Sequence, residues 1–140
     1  QRYVDEGYNR IPVVREVLSD LDTPLSVYLK LADGPDAYLF ESVEGGERWG
    51  RYSIIGLPCR TRYEFRGHTL AVSRYGEVVE TRSVDDPLAE VERLRAQFRV
   101  PRLAGLPGFS GGLVGYFGFE TIAWIEKRLA QAGKPDPLAT

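Results

Sequence analysis

The feature that most restricts what this chain can become is a run of short β-prone segments between residues 51 and 82. Residues 51–57, 60–66, 68–74 and 78–82 are split by Pro58, Gly67 and Tyr75-Gly76. Breaks this short admit only antiparallel neighbours, because a parallel pair needs a crossover of a dozen or more residues. Leu70 and Val72 alternate with Thr69, Ala71 and Ser73, and Arg62, Glu64 and Arg66 alternate with Tyr63 and Phe65. One face of the meander is therefore expected in a core and the other in water.

The flanking segments add helices. Residues 12–21 place Val13, Val14, Val17, Leu18 and Leu21 close to helical spacing behind an early proline, which predicts a short amphipathic helix ended by Asp22-Thr23-Pro24. Residues 25–31 read Leu-Ser-Val-Tyr-Leu-Lys-Leu and predict a strand; residues 37–43 predict a second, joined to it as a hairpin through the turn at Ala32-Asp33-Gly34-Pro35-Asp36. Asp86 caps a helix that opens at Pro87 and ends before Pro101. Leu88, Val91, Leu94, Ala96 and Phe98 form its apolar stripe, and Glu90, Glu92, Arg93 and Arg95 face water. A Pro- and Gly-rich linker over 102–110 precedes a last helical segment at 121–130. Strands with scattered helices and no βαβ alternation give an α+β class.

The 140 residues are 43% hydrophobic and 11% aromatic, enough for a real core in one body. Eighteen Lys and Arg against 20 Asp and Glu leave a net charge of −2 without a basic block, which gives no electrostatic case for a nucleic-acid or membrane partner. The chain has no apolar run of membrane-spanning length. The lone cysteine, Cys59, reads as a strand-end residue and fits a reducing cytoplasm; the lone histidine, His68, sits in a hairpin turn. One of each supports neither a zinc cluster nor a Ser-His-Asp triad. Beginning at Gln1 and containing no methionine, the chain is expected to be processed or cut.

Two stretches invite a chemical reading. Gly112, Gly115 and Gly118 recur among aromatics, but Gly-Lys-Ser/Thr is missing and Ser110 stands where a dinucleotide fingerprint needs glycine. The expected role of these glycines is close packing. The same stretch has a passing likeness to an RNA-recognition strand, but Val114 stands in the place of the basic residue. Leu39-Phe40-Glu41-Ser42 ends a predicted strand before a double glycine, with Arg51 beyond the loop. A carboxylate, a hydroxyl and a cation there fit an amino-acid zwitterion, although polar residues leaving a sheet are ordinarily just solvated.

Three blocks carry a family resemblance: 24–31, PLSVYLKL; 38–56, YLFESVEGGERWGRYSIIG; and 111–120, GGLVGYFGFE. In this order and at these separations they resemble the amino-terminal region of anthranilate synthase component I, over nearly the whole chain. The resemblance implies an α+β layered sandwich, rich in antiparallel sheet with flanking helices, in which residues 1–140 are the amino-terminal part and the chorismate-binding half is absent. It implies a parent that makes anthranilate and pyruvate from chorismate and ammonia, the ammonia coming from a glutamine amidotransferase subunit. Mg2+ would be held by the absent half, so the fragment alone would be inactive. The family's Leu-Leu-Glu-Ser motif implies a feedback site for L-tryptophan at Leu39, Phe40, Glu41 and Ser42, with Arg51 completing the polar end. Phe40 departs from the usual second leucine. Two alternatives share these features: the large subunit of aminodeoxychorismate synthase, and a free-standing amino-acid-binding module.

Overall fold

The computed structural model describes residues 2–32, 34–41, 52–109 and 111–130. It contains two compact units, one from the described residues of Gln1–Val14, Arg66–Thr69 and Ser83–Thr140, the other from those of Arg15–Phe65 and Leu70–Arg82. The α+β expectation holds: helices accompany a two-stranded and a three-stranded sheet. Among the described residues no helix is long and apolar enough to cross a membrane.

The chain starts with a single turn, α1 (Arg2–Asp5), braced by an Arg2–Glu6 ion pair at 2.9 Å. A strap then runs beside residues 97–99. The Asn9 side chain donates to the Gln97 carbonyl at 2.6 Å and accepts from the Arg99 N–H at 2.9 Å, while the backbone N–H groups of Asn9 and Arg10 both donate to the Arg99 carbonyl. The two segments also stack reciprocally, Arg10 over the Phe98 ring and Arg99 over Tyr8. An amide is suited to this task because it both donates and accepts.

The helix expected at 12–21 does not form. Residues 11–19 are irregular, and Val13 and Leu21 are 96% and 100% exposed. Ile11 stands where a capping side chain is needed, three valines in the segment are stiff at χ1, and so short a helix depends on a surface to pack against. The residues expected to end that helix begin another. In α2 (Pro24–Leu31), Thr23 accepts from the Ser26 N–H at 3.1 Å and Ser26 Oγ accepts from the Thr23 N–H at 3.0 Å, a reciprocal capping box with Pro24 in the first turn. The strand expected at 25–31 is thus corrected to a helix: local capping outweighs an imperfect alternation. Val27 and Tyr28 are half-buried and Ala32 is buried.

The strand of the 37–43 region, β1 (Tyr38–Phe40), therefore pairs with β2 (Ile54–Gly56), not with residues 25–31. The meander expected over 51–82 loses its first segment, since β2 lies in the other sheet; the remaining three strands, β3 (Thr61–Arg66), β4 (Thr69–Arg74) and β5 (Glu77–Ser83), lie in that order. Tyr75 and Gly76 have φ of 52° and 86°, the left-handed pair that a two-residue hairpin demands. On the central strand Leu70 is wholly buried and Val72 nearly so. Val78 and Val79 of β5 are exposed.

Helix α3 (Pro87–Ala96) opens as expected, the Asp86 carboxylate accepting from the Ala89 N–H at 3.0 Å. Its buried line is rotated from the expected stripe: Pro87, Glu90 and Leu94 are buried, Leu88 and Val91 half-buried. Glu90, expected to face water, can turn inward because Arg93 grips both its oxygens, at 2.8 and 2.6 Å. The glycine-rich stretch is irregular and exposed, Tyr116 by 92%. A Cβ on Gly115 would meet nothing within 4 Å, so the expected close packing is absent there. The last helical segment is a 3-10 turn (Phe119–Thr121), α4 (Ile122–Ile125) and α5 (Lys127–Ala130), interrupted where Glu126 turns extended.

Two outcomes test these local devices. Asn9→Ala removes both side-chain bonds of the strap and should lower stability by about 1–2 kcal/mol, with faster amide exchange at Arg10; unchanged exchange would mean that the arginine–ring stacks hold the strap unaided. The Asp22 carboxylate lies below its ordinary value of 3.8, first because Lys30 Nζ bonds to it at 2.5 Å and next because Ser26 Oγ does. A lowered carboxylate stabilises the folded form above its ordinary range, and that contribution is lost as pH falls through the folded value. The 13C titration of Asp22 should accordingly have a midpoint below 3.8 that rises in Lys30→Ala.

Candidate functional site

The implied effector residues begin on β1, whose position follows from its two neighbours. Helix α2 packs against β1 on one side of the sequence, and β2 pairs with it on the other, Tyr38 opposite Gly56, Leu39 opposite Ile55 and Phe40 opposite Ile54. Cross-strand partners share a face and successive residues alternate, so Tyr38, Phe40, Ile54 and Gly56 lie on one face and Leu39 and Ile55 on the other. Leu39 is half-buried.

Phe40 is 51% exposed, which leaves much of its ring available. Its ring lies beside that of Tyr38: the centroids are 4.8 Å apart with planes tilted by 36°. Tyr38 in turn lies across Gly56, which is buried; a Cβ on residue 56 would fall 1.9 Å from Tyr38 Cε1. Glycine is required there by space, the ring occupying the volume where any other residue would carry its first side-chain atom.

Glu41 leaves the strand exposed to water, and among the described residues no hydrogen bond or ion pair holds its carboxylate. That carboxyl group stands at the end of an apolar strand. Ser42 and Arg51 lie outside the described residues. The structure thus places Leu39, Phe40 and Glu41 in succession on one strand and its end, with Leu39 and Phe40 on opposite faces. Tyr38 and Gly56 join them, though the motif reading passed over both. Their signal in the sequence was a glycine following two isoleucines inside a strand, which marks a close approach without saying by what.

Other reactive groups stand apart in kind. Cys59 is an exposed free thiol whose Sγ lies 3.3 Å from the Thr61 carbonyl. His68 Nδ1 lies 3.0 Å from the Val84 carbonyl, beside the Val84 N–H bond to the His68 carbonyl, so the imidazole closes the hairpin end. Among the described residues no group of three or more His, Cys, Asp or Glu side chains could hold a metal ion.

The chain is 56% identical over 137 residues to anthranilate synthase component 1 of Pseudomonas aeruginosa, covering 98% of this chain and 28% of that protein. Its identity to the Neisseria meningitidis serogroup B protein of the same name is 52%, covering all of this chain and 29% of the relative. For Acetivibrio thermocellus the figures are 38%, 86% and 24%. The chain therefore spans about a quarter of the length of these curated relatives. No family model matches it, and no solved structure does.

Proposed function

The chain belongs to the anthranilate synthase component 1 family, and on that premise we propose that it is the amino-terminal regulatory part of such an enzyme. The whole protein then converts chorismate and ammonia to anthranilate, pyruvate and water in tryptophan biosynthesis, with tryptophan as its feedback inhibitor. The observation that carries this reading is 56% identity maintained over 98% of the chain. The relatives' shared designation as component 1 supports a second component, a glutamine amidotransferase that releases the ammonia. A cytoplasmic location belongs to the same reading.

Within it the chain's own residues bind an effector. Glu41 takes the ammonium of tryptophan, and the Ser42 hydroxyl and Arg51 guanidinium take the carboxylate. Phe40 supplies apolar surface beside this polar end, and Leu39 supports the strand from its opposite face. The exposed carboxylate of Glu41, unengaged among the described residues, and the half-exposed ring of Phe40 support that division of labour. Among the described residues no group of three or more His, Cys, Asp or Glu could hold magnesium, and its binding is assigned to the remainder of the protein. Chorismate binding and ring chemistry are assigned to the remainder of the protein. A small ligand needs walls on most sides, so this chain by itself binds tryptophan weakly and forms no anthranilate.

Regulation then follows from linkage. If tryptophan binds better to an inactive arrangement and chorismate to the active one, each weakens the binding of the other by the same factor. The test is anthranilate fluorescence from the whole enzyme given chorismate, ammonium and magnesium, with and without L-tryptophan. Anthranilate formation suppressed by tryptophan is expected, and Ser42→Phe should abolish the suppression by filling the polar end. Chorismate consumed without anthranilate would instead favour the aminodeoxychorismate reading. Inhibition that survives Ser42→Phe intact would remove Ser42 from the site.

A further inference from the structure

The stacked unit Gly56, Tyr38 and Phe40 carries a consequence for regulation. A Cβ at position 56 would lie 1.9, 2.2 and 2.4 Å from Cε1, Cζ and Cδ1 of the Tyr38 ring. Real atoms do not approach so closely, so any side chain there must displace the ring. The register holds the Tyr38 backbone opposite residue 56, which leaves the ring as the part that yields. On the same face stands Phe40, half exposed, with its centroid 4.8 Å from that of Tyr38. A displaced Tyr38 ring therefore transmits its movement to Phe40, which has room to move.

Resting on the reading of Leu39 to Ser42 as a tryptophan site, we infer that Gly56 and Tyr38 are positioning residues for it. The gap left by the missing Cβ seats Tyr38, and Tyr38 fixes the Phe40 ring as the aromatic wall against which a planar side chain stacks. Phe40 thereby has a distinct role in place of the leucine expected from the motif. Rings at separations of about 4.5–7 Å in offset or tilted arrangements attract beyond their burial, and a wall supported from behind loses little freedom when a ligand arrives. The ligand class this selects is an amino acid with a planar aromatic side chain over an aliphatic one.

The experiment pairs two readouts. In the whole enzyme carrying 13C-labelled phenylalanine, Gly56→Ala should shift the Phe40 ring resonances. In the whole enzyme, Gly56→Ala should raise the tryptophan concentration for half-inhibition by roughly tenfold, the equivalent of one lost contact. Tyr38→Ala removes the ring that Gly56 accommodates, so Tyr38→Ala with Gly56→Ala should inhibit no differently from Tyr38→Ala by itself. That non-additivity distinguishes positioning from general destabilisation, and the two Tyr38→Ala proteins give the answer even if Gly56→Ala fails to fold. An unmoved Phe40 ring, or effects of the two substitutions that simply add, overturns the inference. So does a moved ring with unchanged inhibition, which leaves the effector reading standing. An unaltered enzyme that tryptophan does not inhibit removes the effector reading and the inference with it.

Discussion

The reciprocal hydrogen bonds between Thr23 and Ser26 decide more of this structure than their size suggests. They start a helix at Pro24 in a segment whose side chains nearly alternate. Were residues 25–31 a strand, they would be the natural hairpin partner of β1, which begins after six intervening residues. Committed to a helix, they give up the ladder and pack against β1 instead. The N–H and C=O groups of β1 then find their partners in β2, and only that pairing sets Gly56 opposite Tyr38. The face on which Phe40 stands, and the ring behind it, follow from a helix cap fifteen residues earlier.

How much of this was legible varies with how local the cause is. The β3–β4–β5 meander could be read because its turns are decided by adjacent residues: Tyr75 and Gly76 fit a left-handed pair, and the intervals are too short for anything but hairpins. The start of α3 was equally plain, since Asp86-Pro87 carries both a cap and a first-turn proline. Residues 25–31 depart from the expected strand because the Thr23-Pro24 signal in front of them outweighs their alternation. Residues 12–21 depart from the expected helix for the converse reason: the spacing suits a helix, but a helix that short is decided by packing, and Val13 and Leu21 are left in water.

The candidate site was legible as a motif and illegible as geometry. Leu39, Phe40 and Glu41 could be named from their order at a strand end. Which residue lies behind Phe40 depends on the partner strand and its register, and neither can be read from the segment itself. Glu90 shows the same limit on α3, where a charged residue occupies the inward line because Arg93, one turn on, neutralises it. Sequence pattern records the types of side chain on a face; it does not record which of them has a partner that makes burial tolerable.

The smallness of the β1–β2 ribbon suits the role proposed for it. Three residue pairs are fewer than an independent hairpin needs, so the ribbon depends on α2 and on the Tyr38 ring seated over Gly56. Elements near the margin of stability open at low cost and respond most to any ligand that favours their ordered form. An effector that engages Glu41 and stacks on Phe40 would grip the end of this ribbon at two points, one polar and one aromatic. The free energy of that grip is then available to bias whatever the ribbon packs against. A rigid, deeply buried strand would offer the same contacts with far less to shift. On physical grounds, regulation is better placed on a short ribbon seated by a glycine than on the central strand that carries Leu70 and Val72.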